Sequence, residues 1–411
     1  MRLTRRQVLW IGIAVVVTLG LVVASPLGFN LVGRATEALR GDDGPKPVPI
    51  EGADLGAVGP GSLISAMTMP NFLDAASSRD LRAARVVYRS TNGDTGAETQ
   101  VSGAVFTPKG EPPPGGWPVV ALAHGTTGIE HQCAPSLSKN LWSLSDPVLA
   151  YIKWGYAVAL ADYQGLGEDG VHPYMDAKTA GLNVIDSVRA LRHTFTGTSS
   201  RWFAFGASQG GAAAWAADEQ AKTYAPELEL VGAVANGPSA DLTGMVAKAE
   251  RGTLSADQMP IFLMVVEAVA RLHTDVDRDD FRSGAAIDYW VALLSCDPAT
   301  AAHRGTLIAR LSPVEFAPRT PAAASRLREI LANWALPQRP LSAPLSVVYG
   351  GNDTFIDAQW TTEAIAHQCA LGGVVEWDLQ PGMGHGNIDI TRQFEFQADR
   401  FAGKPAINQC P

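Results

Sequence analysis

The chain has 411 residues, of which 46% are hydrophobic and 18% charged, and its formal net charge is −9. This composition is typical of a well-buried globular protein and excludes a disordered one. The length allows one large domain with an insertion, or two domains. Because the charge balance is acidic and no basic stripe is present, nucleic acid is not an expected partner.

The first 25 residues differ in kind from the rest of the chain. Arg2, Arg5 and Arg6 precede an uncharged apolar run at 8–24, which is the pattern of a secretory signal peptide. The arginine pair is also similar to a twin-arginine export signal. Because the run is almost long enough to span a bilayer, an uncleaved membrane anchor stays open as an alternative. Either interpretation predicts an exported protein, secreted or in the cell envelope, with contact to a membrane or lipid surface left open.

After a predicted linker at 26–61, rich in Gly, Pro and Asp, short apolar runs alternate with helical patterns. Short continuous apolar runs bounded by turns indicate strands buried on both faces. Strands joined by helical crossovers form a mostly parallel sheet with helices on both sides, so the sequence predicts a doubly wound α/β fold. The predicted strands are 85–90, 100–106, 119–123, 157–161, 202–205, 230–235, 345–349 and 374–379, and helices are predicted at 176–193 and 212–221.

One interval interrupts this alternation. Between residues 240 and 344 no strong strand signal occurs, and three helical patterns fill the space at 259–273, 281–294 and 322–334. The sequence therefore predicts a helical cap at 243–340, inserted into a core formed by 62–242 and 341–411.

Ser208 has the sequence context of an activated nucleophile. It is flanked by Gly206 and Gly210, follows an apolar strand and precedes an Ala-rich helix. A hydroxyl nucleophile for acyl transfer is held at the apex of such a strand-to-helix turn, where small neighbours let the backbone bend sharply. The pattern is weak alone, but its position between strand and helix makes Ser208 the predicted nucleophile.

The base and the acid are expected later in the chain, in the order Ser, acid, His. His385 lies in a Gly-rich loop just after the last predicted strand, where an imidazole can reach the nucleophile. Asp353 lies four residues after the strand at 345–349 and is the predicted acid that orients the imidazole. Asp357 is the alternative acid, although we expect it to cap the helix that starts near Ala358.

Two backbone N–H groups are needed to stabilise the oxyanion of an acyl-transfer transition state. The amide of Gln209, directly after the nucleophile, is predicted to be one donor. The second should come from the loop after the strand at 119–123, and Thr126 is predicted, with Gly125 and Thr127 as alternatives. His124 is expected to brace this loop, and residues 162–167, after the strand at 157–161, to line the pocket.

The four cysteines predict two disulfides in an exported chain, and three pairings are open. Cys133 and Cys369 each follow a His-Gln pair, but the spacing of a metal site is missing. The aspartates at 275–280 lack the spacing of a calcium loop. No metal and no cofactor are therefore expected.

Together these residues resemble the secretory lipase family of fungi and actinobacteria, within the α/β-hydrolase fold. The resemblance implies lipase or carboxylesterase activity and a helical cap between the sixth and seventh core strands. It also implies disulfides between Cys133 and Cys296 and between Cys369 and Cys410. The matching segments are 124–128, 133–136, 162–167, 172–174, 206–211 and 384–386.

The leading hypothesis is a serine hydrolase that cleaves carboxylic esters, lipid-like or small, under an apolar cap. Acyl transfer to an acceptor other than water, using the same three residues, is one alternative. A catalytically silent cell-envelope protein is the other. Acyl-chain preference and oligomeric state are not predicted, because cap packing and surface contacts decide them.

Overall fold

The computed structural model describes residues 45–73 and 78–411 of the chain. The predicted signal or anchor at 1–25 and the first part of the predicted linker lie outside these residues. Over the described ranges, no helix is both long and apolar enough to cross a membrane.

Within the described residues, nine strands form one sheet. They are Leu63–Thr68 (β1), Leu81–Thr91 (β2), Glu98–Pro108 (β3), Trp117–Ala123 (β4), Ala157–Ala161 (β5), Thr198–Ala207 (β6), Glu229–Asn236 (β7), Leu345–Gly350 (β8) and Val375–Gln380 (β9). Their order across the sheet is β1-β2-β3-β5-β4-β6-β7-β8-β9. The pairs from β1 to β5 are antiparallel, and all pairs from β5 to β9 are parallel.

The helices lie in three groups, one on each face of the sheet and one in the interval between β7 and β8. They are Ser145–Lys153 (α1), Ala177–Thr194 (α2), Gln209–Tyr224 (α3), Thr243–Glu250 (α4), Gln258–Leu272 (α5), Gly284–Leu294 (α6), Pro298–Ala301 (α7), Arg304–Ile308 (α8), Pro321–Trp334 (α9), Ala358–Ala370 (α10) and Thr391–Phe401 (α11). Helices α2, α3 and α10 share an apolar core with one face of the sheet, and α1 and α11 share one with the other face. The predicted doubly wound, mostly parallel architecture is confirmed.

The central strands are apolar at successive positions because both of their faces are covered. Every residue of β5 is buried, and Val119 to Ala121 in β4 are fully inaccessible to solvent. Strands in such a sheet need no alternation of polar and apolar residues. This explains why the short apolar runs predicted the positions of these strands.

The interval between β7 and β8 is described throughout and holds helices α4 to α9 and two short 3-10 turns. Their apolar faces meet in a separate core around Phe262, Trp290 and Trp334. The insertion follows the seventh strand along the chain, because β1 adds a strand that the sequence patterns did not predict. Its sequence, Leu-Ile-Ser-Ala-Met-Thr, mixes apolar and polar residues without a clear alternation.

The folded part begins earlier than the predicted boundary at residue 62. Within the predicted linker, the amide of Ile50 donates to Ala66 O at 2.9 Å, and Val48 O accepts from the amide of Thr68 at 2.8 Å. The amide of Asp54 donates to His193 O at 2.8 Å. Residues 48–54 are therefore attached to β1 and to the end of α2, so the linker assignment was wrong for this stretch.

Both disulfides implied by the resemblance are present. Cys133 pairs with Cys296 at a Cα–Cα distance of 5.7 Å, and Cys369 pairs with Cys410 at 5.3 Å. The first bond joins the loop after β4 to the chain that follows α6, and so fastens the cap to the core. Because all four thiols are consumed, the two His-Gln-Cys segments do not supply metal-binding thiolates.

Two buried carboxylates hold the chain where it returns from the cap to the core. Asp218 Oδ1 accepts from the amides of Ser342 and Ala343, both at 2.8 Å. Glu219 accepts from the amide of Gln338 at 3.1 Å. Burial raises the pKa of Asp218 to about 7 and that of Glu219 to about 8, because a charged carboxylate is poorly solvated in the interior.

We expect removal of the Cys133–Cys296 bond, by Cys→Ala at both positions, to lower the free energy of unfolding by about 5 kcal/mol. The bond closes a loop of 163 residues, and closing a long loop removes much entropy from the unfolded chain. The matched control is the Cys369–Cys410 pair, whose 41-residue separation corresponds to about 4 kcal/mol in the same model. Denaturant unfolding of both variants measures this, and a larger loss from the Cys369–Cys410 variant would contradict the expectation.

We also expect the stability of the protein to fall as the pH rises from about 5 to about 8. The folded-state pKa of Asp218 lies above its unfolded value, so the folded state binds more protons in this window, and stability present at low pH is lost as the pH rises through the folded pKa. Asp176 and Asp186, whose pKa burial raises to about 6, contribute to the same slope. With Asp218 and Glu219 they outnumber the buried histidines His124 and His172, whose lowered pKa gives a slope of opposite sign below the ordinary histidine pKa.

Asp218→Asn should reduce this slope, because the amide keeps an acceptor for the two backbone N–H groups without carrying a charge. Glu363→Gln, at an exposed position of α10, serves as the control and should leave the slope unchanged. Denaturant unfolding at a series of pH values gives the slope. A wild-type stability that rises between pH 5 and 8 would refute the assignment.

Candidate active site

Ser208 stands at the apex of the turn between β6 and α3. Its backbone has φ 58° and ψ −121°, a strained conformation that a non-glycine residue rarely adopts. The amide of Ser208 donates to Asn236 O at 2.8 Å, so the end of β7 holds the turn in place. The strain raises the side chain out of the strand direction and presents its hydroxyl above the sheet.

The glycines around Ser208 are required by close backbone contacts. A Cβ atom at Gly206 would overlap the carbonyl of Gly210, and one at Gly210 would overlap the carbonyl of Ala123 at the end of β4. A Cβ at Gly211 would lie 2.9 Å from Asn236 O. The three glycines therefore let the turn pack closely against β4 and β7, which explains why glycine stands two residues before and two residues after Ser208.

His385 and Asp353 meet in the loops that follow β9 and β8. His385 Nδ1 lies 2.6 Å from Asp353 Oδ2, and the two side chains are 11% and 2% exposed. Asp353 Oδ1 accepts from the amides of Phe355 and Ile356 at 2.8 and 2.9 Å. Because a carboxylate accepts, Nδ1 carries the proton, and Nε2 is left unprotonated and able to accept one.

The structure also brings His385 to the segment that holds Ser208. A Cβ at Gly237 would lie 3.3 Å from both Cε1 and Nδ1 of the His385 ring. Gly237 follows Asn236, whose carbonyl accepts from the Ser208 amide. Among the described residues, the Ser208 hydroxyl has no hydrogen-bond partner. In structures without substrate, bonds between a nucleophile and its base are often long and tighten on binding.

The alternative acid, Asp357, has a different role from the one we expected. It occupies the N-cap position of α10, but its side chain accepts no hydrogen bond from the backbone of that helix. Both of its oxygens accept from Lys248 Nζ at 2.9 Å, and Gln258 Nε2 donates to Oδ1 at 2.8 Å. Asp357 therefore ties the loop that carries Asp353 to the cap, and the structure pairs His385 with Asp353.

The predicted oxyanion loop lies directly beside the nucleophile. A Cβ at Gly125 would be 3.7 Å from Ser208 Cβ. Next to it, Thr126 Oγ1 lies 2.7 Å from the Tyr174 hydroxyl. Gln209 begins α3, so its amide is one of the N–H groups that a helix start leaves without an internal partner. Gly125 and Gln209 thus both adjoin Ser208, and Thr126 follows Gly125 in the loop.

His124 braces this loop, as expected. It is 2% exposed and its ring stacks on Tyr163 with centroids 4.2 Å apart. The ring nitrogens face Gly125 O at 2.7 Å and Asp162 O at 3.2 Å. Burial lowers the pKa of His124. Asp162 and Tyr163, which we expected to line the pocket, are instead buried beneath the loop.

A hydrogen-bond chain that orients Gln209 escaped the sequence analysis. His172 Nδ1 faces Gln164 O at 2.9 Å, and Gln209 Nε2 lies 2.9 Å from His172 Nε2. Burial lowers the pKa of His172 to about 3, so the ring is neutral. It donates through Nδ1 to Gln164 O and accepts at Nε2 from the side-chain amide of Gln209. The His-Pro-Tyr segment at 172–174 was the available signal, but nothing in its spacing indicates the contact with Gln209.

The chain is similar to known lipases in sequence and in fold. Residues 145–278 match the model of the family described as Secretory lipase. The chain is 27% identical over 348 residues to "Probable inactive lipase MT1628" of Mycobacterium tuberculosis, covering 79% of this chain and 74% of that protein. It is 34% identical over 129 residues to the secreted triacylglycerol lipase LIP4 of Malassezia globosa, covering 28% and 27%.

Among solved structures, Candida antarctica lipase A in its closed state superposes with a TM-score of 0.67 at 17% identity, covering 86% of this chain and 85% of the other. At this identity the likeness establishes the fold, and the predicted α/β-hydrolase fold is confirmed. The family match confirms the predicted resemblance to secretory lipases.

We expect Asp353→Asn to lower kcat for ester hydrolysis by about 10³–10⁴. The asparagine amide can keep its oxygen toward Phe355 and Ile356, and it then presents N–H groups to His385 Nδ1. This favours the tautomer in which Nε2 carries the proton. In that tautomer Nε2 cannot accept the proton of the Ser208 hydroxyl. Steady-state rates with a chromogenic ester measure the loss.

Asp357→Asn is the matched control, because it makes the same chemical change four residues later. It should cost less than about tenfold in kcat, since Asp357 contacts the cap and not His385. If Asp353→Asn were harmless and Asp357→Asn severe, the acid would be Asp357.

Proposed function

We propose, on the premise that this chain is a carboxylic ester hydrolase similar to the secretory lipases, that it cleaves lipid-like acyl esters through an acyl-enzyme on Ser208. The observation that carries the proposal is the 2.6 Å contact of Asp353 with His385, in loops beside the strained turn of Ser208. An imidazole held in one tautomer, in a loop near a half-buried serine, is an arrangement suited to acyl transfer.

The first half of the reaction forms the acyl-enzyme. His385 Nε2 takes the proton of the Ser208 hydroxyl as the oxygen attacks the ester carbonyl. The carbonyl oxygen becomes an oxyanion that the amides of Gln209 and Thr126 stabilise. The tetrahedral intermediate collapses, the bond to the alcohol oxygen breaks, and His385 returns the proton to the leaving alcohol.

The second half releases the acid. Water gives a proton to His385 Nε2 and attacks the acyl carbonyl, and the same two amides stabilise the second oxyanion. Ser208 leaves as an alkoxide that His385 reprotonates, so the carboxylic acid departs and the enzyme is regenerated. Asp353 stabilises the charged imidazole in both halves without itself taking the proton.

The cap supports an apolar acyl group as the substrate. Its core is formed by aromatic and aliphatic side chains, and Ile129, Tyr174 and Phe355 from the loops around the site pack with it. The ring of Phe355, which packs against this apolar cluster, lies 5.0 Å from the ring of His385, and apolar side chains next to a polar catalytic centre suit an ester with a hydrocarbon chain. The Malassezia relative is named as a triacylglycerol lipase, which is consistent with this substrate class.

We also propose that the protein acts outside the cytoplasm. Two disulfides are characteristic of an oxidising compartment, and the apolar segment at 8–24 has the pattern of an export signal. Whether that segment is cleaved or serves as an anchor decides between a secreted enzyme and one held at the membrane.

The name of the mycobacterial relative makes a silent protein the competing proposal. Against it stands the presence here of Ser208, His385 and Asp353 with the contacts described above. Acyl transfer to an alcohol uses the same residues and differs only in the acceptor. An ester panel graded by acyl length, with and without an added alcohol, separates esterase, lipase and transferase.

We expect a fluorophosphonate probe to label the protein and Ser208→Ala to abolish both labelling and hydrolysis. Loss of Ser208 or His385 should lower kcat by about 10⁴–10⁶. Ser239→Ala is the control, because Ser239 is a neighbouring buried serine whose hydroxyl lies 3.5 Å from Ser208 O. Labelling that persists in Ser208→Ala would remove Ser208 from the mechanism, and wild-type protein that neither labels nor hydrolyses any ester would favour the silent alternative.

A further inference from the structure

Arg304, at the start of α8 in the cap, is a largely buried cation without an acidic partner. Its Nη2 donates to Ser295 O at 2.6 Å, while its Nε is buried and has no hydrogen-bond partner. Among the described residues, no carboxylate lies within 4 Å of it. One of its five N–H donors is thus used by the end of α6, and the buried Nε–H is left unpaired.

The other arginines of the cap show that this is unusual for this protein. Each of them pairs with a carboxylate or is exposed to solvent: Arg271, Arg278, Arg282, Arg326 and Arg328 form ion pairs, and Arg251, Arg310, Arg319 and Arg339 are exposed. A buried guanidinium stays charged and is unfavourable without an anion. Such unfavourable groups cluster at sites that bind ligands.

Burial lowers the pKa of Arg304, and the ionisable side chain that acts on it is the phenol of Tyr174. The hydroxyl of Tyr174 lies 2.7 Å from Thr126 Oγ1, in the oxyanion loop. The ionisable residue that acts on Arg304 is therefore itself bonded to the predicted oxyanion loop.

Arg304 is also connected to the predicted oxyanion loop through Ser295 and Cys296. Arg304 bonds the carbonyl of Ser295, which precedes Cys296. A Cβ at Gly128 would lie 3.2 Å from Cys296 Cβ, so the end of the oxyanion loop touches the same residue. Between Thr126 and Gly128, the hydroxyl of Thr127 is buried and has no partner. The unpaired Arg304 Nε and the unpaired Thr127 hydroxyl thus belong to segments that meet at Cys296.

We propose that Arg304, together with the Thr127 hydroxyl, binds an anionic oxygen group, a carboxylate or a phosphate, carried by the ester substrate. This inference rests on the proposed ester hydrolysis and names the substrate class more narrowly. Guanidinium groups bind such oxygens through parallel hydrogen bonds, and the disulfide next to Ser295 holds the donor in position before the substrate arrives.

The test compares charged and neutral esters of the same shape. For a carboxylate on the acyl group, the pair is p-nitrophenyl hydrogen glutarate and p-nitrophenyl pentanoate. For a phosphate on the alcohol, the pair is monodecanoyl glycerol phosphate and monodecanoyl glycerol. We expect wild-type kcat/KM to favour the charged member of at least one pair, although the chain's net charge of −9 repels anions.

Arg304→Gln should lower the charged-to-neutral ratio of kcat/KM by about 10- to 100-fold, the range for a hydrogen bond to a charged group. Arg304→Lys, which keeps the charge but not the fork of donors, should retain a higher ratio than Arg304→Gln. Arg310→Gln is the matched control, because it removes an exposed arginine six residues away whose contact is to Tyr289, and it should leave the ratio unchanged.

A wild-type preference for the neutral member of both pairs would overturn the inference, as would a ratio that Arg304→Gln leaves unchanged. If Arg304→Gln does not fold, as judged by circular dichroism, the wild-type ratios alone decide. Failure of the proposed function is distinguishable, because then none of the four esters is hydrolysed and Ser208 is not labelled.

Discussion

The contact of Gly210 with the end of β4 is the constraint on which the site depends. A Cβ there would overlap the carbonyl of Ala123, so the turn after β6 can approach β4 only because this residue is glycine. The same approach brings Gly125, which follows β4 in the chain, beside Ser208. The proposed nucleophile and the proposed oxyanion loop are thus positioned by one backbone contact, and the positive φ of Ser208 is maintained by the strands on either side.

The cap is fastened to both halves of this site. The Cys133–Cys296 bond and the ion pair of Arg271 with Glu130 at 2.7 Å join it to the oxyanion loop. Lys248 and Asp357 join it to the loop that carries Asp353. Because the cap contacts the segments that hold the proposed oxyanion donors and the proposed acid, a shift of the cap would change the geometry of the proposed catalytic groups.

Sequence patterns predicted what depends on local chemistry. The predicted bounds of β5, 157–161, are the same as its bounds in the structure, because a strand buried on both faces consists of apolar residues throughout. Ser208, Asp353 and His385 were predicted from their positions after strands, and the structure brings the last two together. The disulfide pairing came from the family resemblance, since spacing alone left three possibilities.

What escaped the sequence is what depends on residues far apart in the chain. The bonds of Asp357 to Lys248 and Gln258 span about a hundred residues. From its position just before α10, Asp357 was expected to accept a hydrogen bond from the first turn of that helix, but its side chain makes no such bond. The orientation of Gln209 by His172 has the same character. Arg304 illustrates the point most fully. Its sequence surroundings are those of an ordinary cap arginine, and only the fold shows that, among the described residues, no carboxylate lies within 4 Å of it and that it bonds Ser295, next to the disulfide that joins the cap to the core. An unpaired cation at that position turns the apolar cap from a general cover for acyl chains into a surface that can distinguish esters by charge.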